Sequence, residues 1–171
     1  MQRIKIMNKL QLTLLPSLLL LLVGDGLLLS ASAVAEPEQH QHAQANALSS
    51  LSLNEGAKWP VDEVLSAAML HLRQQLVSRL DAIHNNRFSQ QEYQQFAQLL
   101  GQEIDNIVSN CQLTPGADAQ FHLLLATLIQ AKTAMQHHTI SEQRQGAVQM
   151  LKALQHYPMY FQDNVFTPIE H

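Results

Sequence analysis

From Leu65 onward the chain repeats an apolar residue about once per helical turn, and that rhythm admits helices and little else. Leu65, Met69, Leu72, Leu76, Leu80 and Ile83 make five steps in 18 residues, a mean of 3.6, the period of one buried helical face. The pattern predicts a first helix from about Pro60 to His84. Pro60 suits its first position, and Asp62 and Glu63 sit where the helix dipole favours anions.

The turn residues Asn85-Asn86-Arg87 close that helix, and Ser89-Gln90-Gln91-Glu92 has the spacing of a capping box for the next. Phe88 and Tyr93 can close over that start as a hydrophobic staple. The second stripe is Tyr93, Phe96, Leu100, Ile104, Ile107 and Cys111, which puts Cys111 on the core side. A third helix opens with Thr114 as cap and Pro115 as first residue, and its stripe runs Ala117, Phe121, Leu124, Leu128, Ala131, Met135. Thr139-Ile140-Ser141-Glu142 offers a further capping box for a fourth helix, with Ala147, Leu151 and Leu154 inward and Tyr157-Pro158 at its end. No strand-like alternation occurs. Short connections make consecutive helices antiparallel neighbours, so the expected fold is all-α, an up-down-up-down four-helix bundle over residues 51–171. Residues 159–171 form an aromatic tail with Tyr160, Phe161, Val165, Phe166 and Ile169, too apolar to leave wet and expected to fold back.

The text ahead of the helices is of another kind. Arg3, Lys5 and Lys9 precede a leucine-rich run from Leu10 to Leu29, and small residues follow up to Ala35. That order predicts a secretory signal peptide over residues 1–35, cleaved after Ala35 or, as second choice, after Ala33. The competing reading is an uncleaved anchor, and Gly24-Asp25-Gly26 interrupts the span it would need. Residues 36–50 are polar and small and read as a flexible leader. The expected compartment is the periplasm, with no integral membrane span after cleavage.

Past Ala35, 7 basic residues face 13 acidic ones, a net charge of −6 with histidines neutral. Nucleic acid is a poor partner for such a chain, because that affinity rests on cationic contacts to phosphate. Anionic lipid is a poor one for the same reason. Cys111 is the only cysteine, so no intramolecular disulfide can form. Its place on a helical stripe predicts a buried thiol, with an intermolecular bridge or a metal ligand as alternatives.

Candidate ligand residues are few. His40 and His42, two apart in the leader, can chelate copper, nickel or zinc. Asp118 and His122, four apart on one helix face, can pair so that the carboxylate orients the imidazole. Antiparallel pairing about Thr114 sets Cys111 near Ala117 and leaves His122 roughly 7 Å further along the axis. His137-His138 closes the third helix and could chelate, although the plain reading is two histidines at a helix end where imidazolium is favoured. Met69 and His156 lie at neighbouring ends of the first and fourth helices and could serve as axial ligands of a b-type haem. Covalent haem attachment is excluded, because C-x-x-C-H is missing. E-x-x-H repeats, H-E-x-x-H, G-x-S-x-G and phosphate-cradling glycine loops are missing as well, which favours a protein without catalytic activity. Trp59, the sole tryptophan, is expected to cap the bundle end, with a binding role as the alternative.

Two blocks of the sequence resemble a group of small exported bacterial proteins of unknown function, some labelled DnrO-like. One block is Leu53-Asn54-Glu55-Gly56-Ala57-Lys58-Trp59-Pro60-Val61-Asp62 with Leu65 and Met69. The other is Asn110-Cys111-Gln112-Leu113-Thr114-Pro115-Gly116-Ala117-Asp118 with His122. The resemblance covers most of residues 51 to 163 and implies an exported helical protein, with no activity attached. Members often carry a longer His-rich tract, here reduced to His40 and His42, and tend to have basic residues where this chain has Ser66. The expected function is a non-enzymatic periplasmic protein that binds a transition metal weakly or serves as an accessory binding module. The alternative is a structural or interaction protein that meets a protein partner through its aromatic tail.

Overall fold

A computed structural model describes residues 47–170. The signal peptide and the leader histidines His40 and His42 lie outside the described residues. Residues 47–50, grouped with the leader by composition, instead form one helical turn, and Leu48 packs against the core.

The described chain is mostly helical, an all-α fold with two very short strands. Its elements are β1 (Trp59–Pro60), α1 (Glu63–Val77), α2 (Leu80–His84), α3 (Gln90–Asn110), α4 (Pro115–Met135), α5 (Ile140–Tyr160) and β2 (Phe161–Gln162). Helix α4 packs most extensively on α5. Helix α3 packs on α1, α4 and α5, and α1 also touches α5. The predicted stripes meet in one apolar cluster, with Leu65, Met69, Leu72, Leu76, Phe96, Leu100, Leu124 and Leu128 almost fully enclosed. No described helix is long and apolar enough to cross a membrane.

Where caps were expected, most are found. Ser89 and Glu92 form a complete capping box on α3. Phe88 and Tyr93 close over it edge to face with ring centroids 4.8 Å apart. Pro115 starts α4 behind Thr114, although the Thr114 side chain makes no capping bond. Thr139 caps α5 by accepting the Glu142 N–H at 3.2 Å. Gly146 lets α4 and α5 approach closely, since a Cβ there would lie 2.6 Å from the Ala131 carbonyl oxygen and 2.8 Å from Met135 N.

Three boundaries differ from expectation, each for a local reason. Pro60 does not start α1. Asp62 takes the cap by accepting the Leu65 N–H at 2.8 Å, and Pro60 pairs with Gln162 in an edge strand that needs no N–H from it. The predicted single helix to His84 breaks at Ser78-Arg79. There the Gln75 carbonyl accepts from Ser78 Oγ at 3.0 Å and Arg79 Nη1 at 2.7 Å, while the Arg79 N–H turns to Leu76 O. Side chains that capture a helix carbonyl and an i→i−3 bond that tightens the turn together end α1. Helix α5 runs on through Pro158 to Tyr160 rather than stopping at Tyr157. Proline forfeits one helical bond there, and Tyr157 and Phe161 hold the last turn by burial.

Residues 161–170 lie against the helices. Phe161, Phe166 and Ile169 join the core cluster. Tyr157 stacks on Phe161 with rings 14° apart in orientation and meets Phe166 edge-on at 4.9 Å. Arg73 holds the same segment from α1, donating to the carbonyls of Thr167 and Pro168.

Candidate functional site

The two sequence blocks come together at one end of the described helices. The segment before α1, the α3–α4 connection and the segment after α5 all meet there. The first block enters through a tight turn in which Asn54 and Ala57 exchange both backbone bonds at 2.8 Å. Glu55 and Gly56 both have positive φ, at 49° and 90°, as a type I′ turn requires. The turn delivers Trp59 onto α4. A Cβ on Gly116 would lie 2.5 Å from the Trp59 ring, so only glycine admits the indole at that distance. The indole N–H donates to Ser52 O at 2.7 Å, and the Ser52 N–H donates to Gln120 Oε1 at 2.8 Å. Trp59 thus covers the end of the fold with its polar edge satisfied.

Asp62 is the centre of the junction. Besides capping α1, it accepts the Gln112 N–H at 2.6 Å through Oδ2 and the Cys111 thiol at 3.4 Å through Oδ1. Partial burial works to raise its pKa, but the bonds from Gln112, Leu65 and Cys111 outweigh it and hold the carboxyl below the usual aspartate value. One carboxylate therefore ties the start of α1 to the end of α3.

Cys111 packs against the core cluster, as its stripe implied, but is only partly buried. It is the cap residue just past the last turn of α3, half-buried, and unpaired with any other cysteine. Burial pushes its thiol up to about 12, and the hydrogen bond to the Asp62 carboxylate adds to the rise. Such a thiol is protonated at neutral pH and is a poor nucleophile and a poor metal ligand.

A second carboxylate, Asp163, does the same work for the segment after α5. It accepts from Tyr157 Oη at 2.8 Å, from Ser66 Oγ at 2.9 Å and from the Val165 N–H at 3.1 Å. Burial, and then the Asp163 charge, raise the Tyr157 pKa far above its ordinary value, so the phenol is a donor only.

Cys111, Asp118 and His122 line one small pocket of about 100 Å³ with Ile107, Val108, Phe121 and Leu125. Sharing a pocket does not make them a ligand set. His122 Nδ1 donates to the Asp118 carbonyl at 2.8 Å and stands 3.4 Å from its carboxylate, both side chains are largely exposed, and the thiol is engaged with Asp62. Among the described residues no three His, Cys, Asp or Glu side chains form a group that could hold a metal. His137 pairs with Glu142 at 3.3 Å at the far end of α4. Met69 is enclosed in the core, and half-buried His156 donates from Nδ1 to Lys152 O in its own helix. Packing and intrahelical bonding account for both of those placements.

Sequence reasoning put Trp59 at a bundle end and Asp62 in a first turn, and it missed their joint closure with Cys111 and Gly116. The available signal was pairwise: a glycine one residue past a helix-starting proline, and an aromatic ring in need of a flat seat. The chain matches no protein-family model, no curated protein and no solved structure.

Proposed function

We propose that this chain is an exported periplasmic protein without catalytic activity, an up-down-up-down four-helix bundle that serves as an accessory binding module. Ahead of the bundle, His40 and His42 form a weak site for copper, nickel or zinc. The supporting observation is the saturation of the Trp59–Cys111 junction. Its indole N–H, its carboxylate oxygens and its thiol are each engaged inside the fold. Groups so engaged stabilise a scaffold, and recognition then falls to surfaces away from the junction and to the leader.

Metal analysis of the chain from residue 36, beside one from residue 47, tests this reading. Weak copper, nickel or zinc binding in the longer chain and none in the shorter is expected. Stoichiometric metal in the shorter chain would move the site into the helical domain, and no metal in either would end the metal reading.

A second reading, an interaction protein, is favoured by one observation. Met159 and Val165 are each 57% exposed beside a segment otherwise pinned to the core. Replacing both by serine removes the apolar contact while leaving Phe161, Phe166 and Ile169 in place. Loss of a crosslinked partner on that replacement supports the reading, and an unchanged crosslinking profile defeats it.

A further inference from the structure

A line of hydrogen-bonded side chains links α3, α1 and the break that ends α1. Glu103 Oε1 on α3 stands 2.7 Å from His71 Nδ1, His71 Nε2 stands 3.0 Å from Gln75 Nε2, and Gln75 Oε1 accepts from Arg79 Nη1 at 2.7 Å. Arg79 belongs to the break itself. Its Nη1 also donates to the Gln75 carbonyl at 2.7 Å and to Ser78 Oγ at 3.1 Å, and the guanidinium carbon lies 5.0 Å from the centroid of the Phe96 ring. Among the described residues Nε and Nη2 have no hydrogen-bond partner. The side chain borders an open groove of about 550 Å³ that Ser78, Glu92 and Phe96 also line.

One residue fixes the direction of this line. Arginine carries donors and no acceptor, so the Gln75 atom that faces Arg79 must be the amide oxygen. The amide NH2 then faces His71, and His71 Nε2 must accept from it. An imidazole that accepts at Nε2 holds its one ring proton on Nδ1, and there it donates to the Glu103 carboxylate. Every donation therefore runs one way, from Arg79 through Gln75 and His71 to Glu103.

A second ring proton has no place in that arrangement. On Nε2 it would set N–H against N–H, and the amide answers by turning its oxygen to His71, which sets its NH2 against Arg79. We propose that these residues form a pH-operated coupling: protonation of His71 inverts the Gln75 amide, and the inversion releases Arg79 from the Gln75 side chain. Histidine changes charge between about pH 5 and 8. The His71 side chain is 43% exposed and open to that exchange, while Glu103 is 18% exposed. The charges that face the imidazole are Glu103 from α3 and, one glutamine away, Arg79. Among the described residues no charged side chain of α2, or of α5, which also packs on α1, bonds to it. The acid form keeps the Glu103 contact as an ion pair. It keeps the break as well, because Arg79 retains the Gln75 carbonyl and Ser78 Oγ. What it gives up is the side-chain link between the break and the α1–α3 contact, which leaves the guanidinium less restrained over Phe96 at the edge of the groove.

Side-chain proton–nitrogen correlation NMR of the chain from residue 36 tests the coupling. At about pH 8 His71 is expected in the Nδ1–H tautomer, the less common one for a free imidazole. On lowering the pH to about 5, the Gln75 amide and Arg79 guanidinium signals are expected to move with the same midpoint as the His71 ring. His71→Gln is expected to hold the Arg79 signals constant across that range. Gln75→Leu is expected to leave His71 titrating while the Arg79 signals stay still, which separates the amide inversion from the mere appearance of charge nearby. Both positions are partly exposed, and the titration of the unaltered chain stands without either variant. An Nε2–H tautomer at about pH 8 overturns the proposal. So do Arg79 signals that ignore the His71 titration, or that still follow it in Gln75→Leu.

Discussion

The junction around Asp62 and the groove around Arg79 are built from similar parts and finish differently. Each has an aromatic ring, a charged group and a helix terminus. At the junction the central polar groups are engaged: Asp62 accepts from three donors, Trp59 donates to Ser52, and Asp163 gathers Tyr157, Ser66 and Val165. At the groove the Arg79 guanidinium lies over the Phe96 ring with Nε and Nη2 unpartnered among the described residues, and Glu92 lines the same groove without an ion pair to it. The difference separates two uses of polar side chains. Mutual satisfaction fixes geometry and removes reactivity, whereas unmet donors keep a capacity for hydrogen bonds outside the chain.

The contrast can be broken at several points. The largest expected effect is on Cys111 chemistry. A thiol raised from 9.0 to about 12 should alkylate roughly a thousandfold more slowly than in the unfolded chain at the same pH. Iodoacetamide labelling followed by mass measurement checks this, and a rate near that of a free thiol would mean the junction is open. Next comes Gly116→Ala, which must displace the Trp59 ring and should lower stability by about 2 to 3 kcal/mol in urea unfolding, with a change in tryptophan fluorescence. Asp62→Ala removes a cap and leaves the Gln112 N–H unpaired, a loss of about 2 kcal/mol. Because the folded-state pKa of Asp62 is depressed, its stabilisation is complete above the unfolded value near 3.8 and fades as pH falls through the lower folded value. Asp62→Asn should flatten that acid limb of the unfolding curve. At the other end, Arg79→Gln should cost no more than about 1 kcal/mol. A larger loss there would mean that the groove, too, is mainly a fastening.

The helices are legible in the sequence because their signals are local. The stripes through Leu65, Tyr93, Phe121 and Ala147 follow the helical period, and Ser89 with Glu92, Pro115 and Thr139 mark starts by spacing alone. What cannot be read is where two local rules compete. Ser78 and Arg79 are acceptable inside a helix, and only their joint capture of the Gln75 carbonyl ends α1. Pro60 fits a helix start on composition, yet Asp62 two residues later offers a side-chain acceptor and wins. The candidate ligands divide the same way. The spacing of Asp118 and His122 does bring them together, but the imidazole prefers the backbone carbonyl, which no residue pattern announces. The Cys111–Asp62 contact joins residues 49 apart, and the Arg79 groove brings residues of the α1–α2 break beside residues of α3. Both depend on how helices meet rather than on any one of them.

The pairing of β1 with β2 has a kinetic side. Trp59 lies opposite Phe161 in a parallel ladder two residues long, so a minimal seam fastens together stretches of chain with nearly the whole helical domain between them. Closing a loop of that length carries a large entropic cost, which grows only slowly with further length, and contacts between distant residues are the slow ones to form. The helical stripes can assemble first from neighbours in sequence, with the seam zipping late. In the native state the same seam is then expected to open at lower free energy than the helices do, so its backbone amides should exchange with solvent ahead of those in α4 and α5.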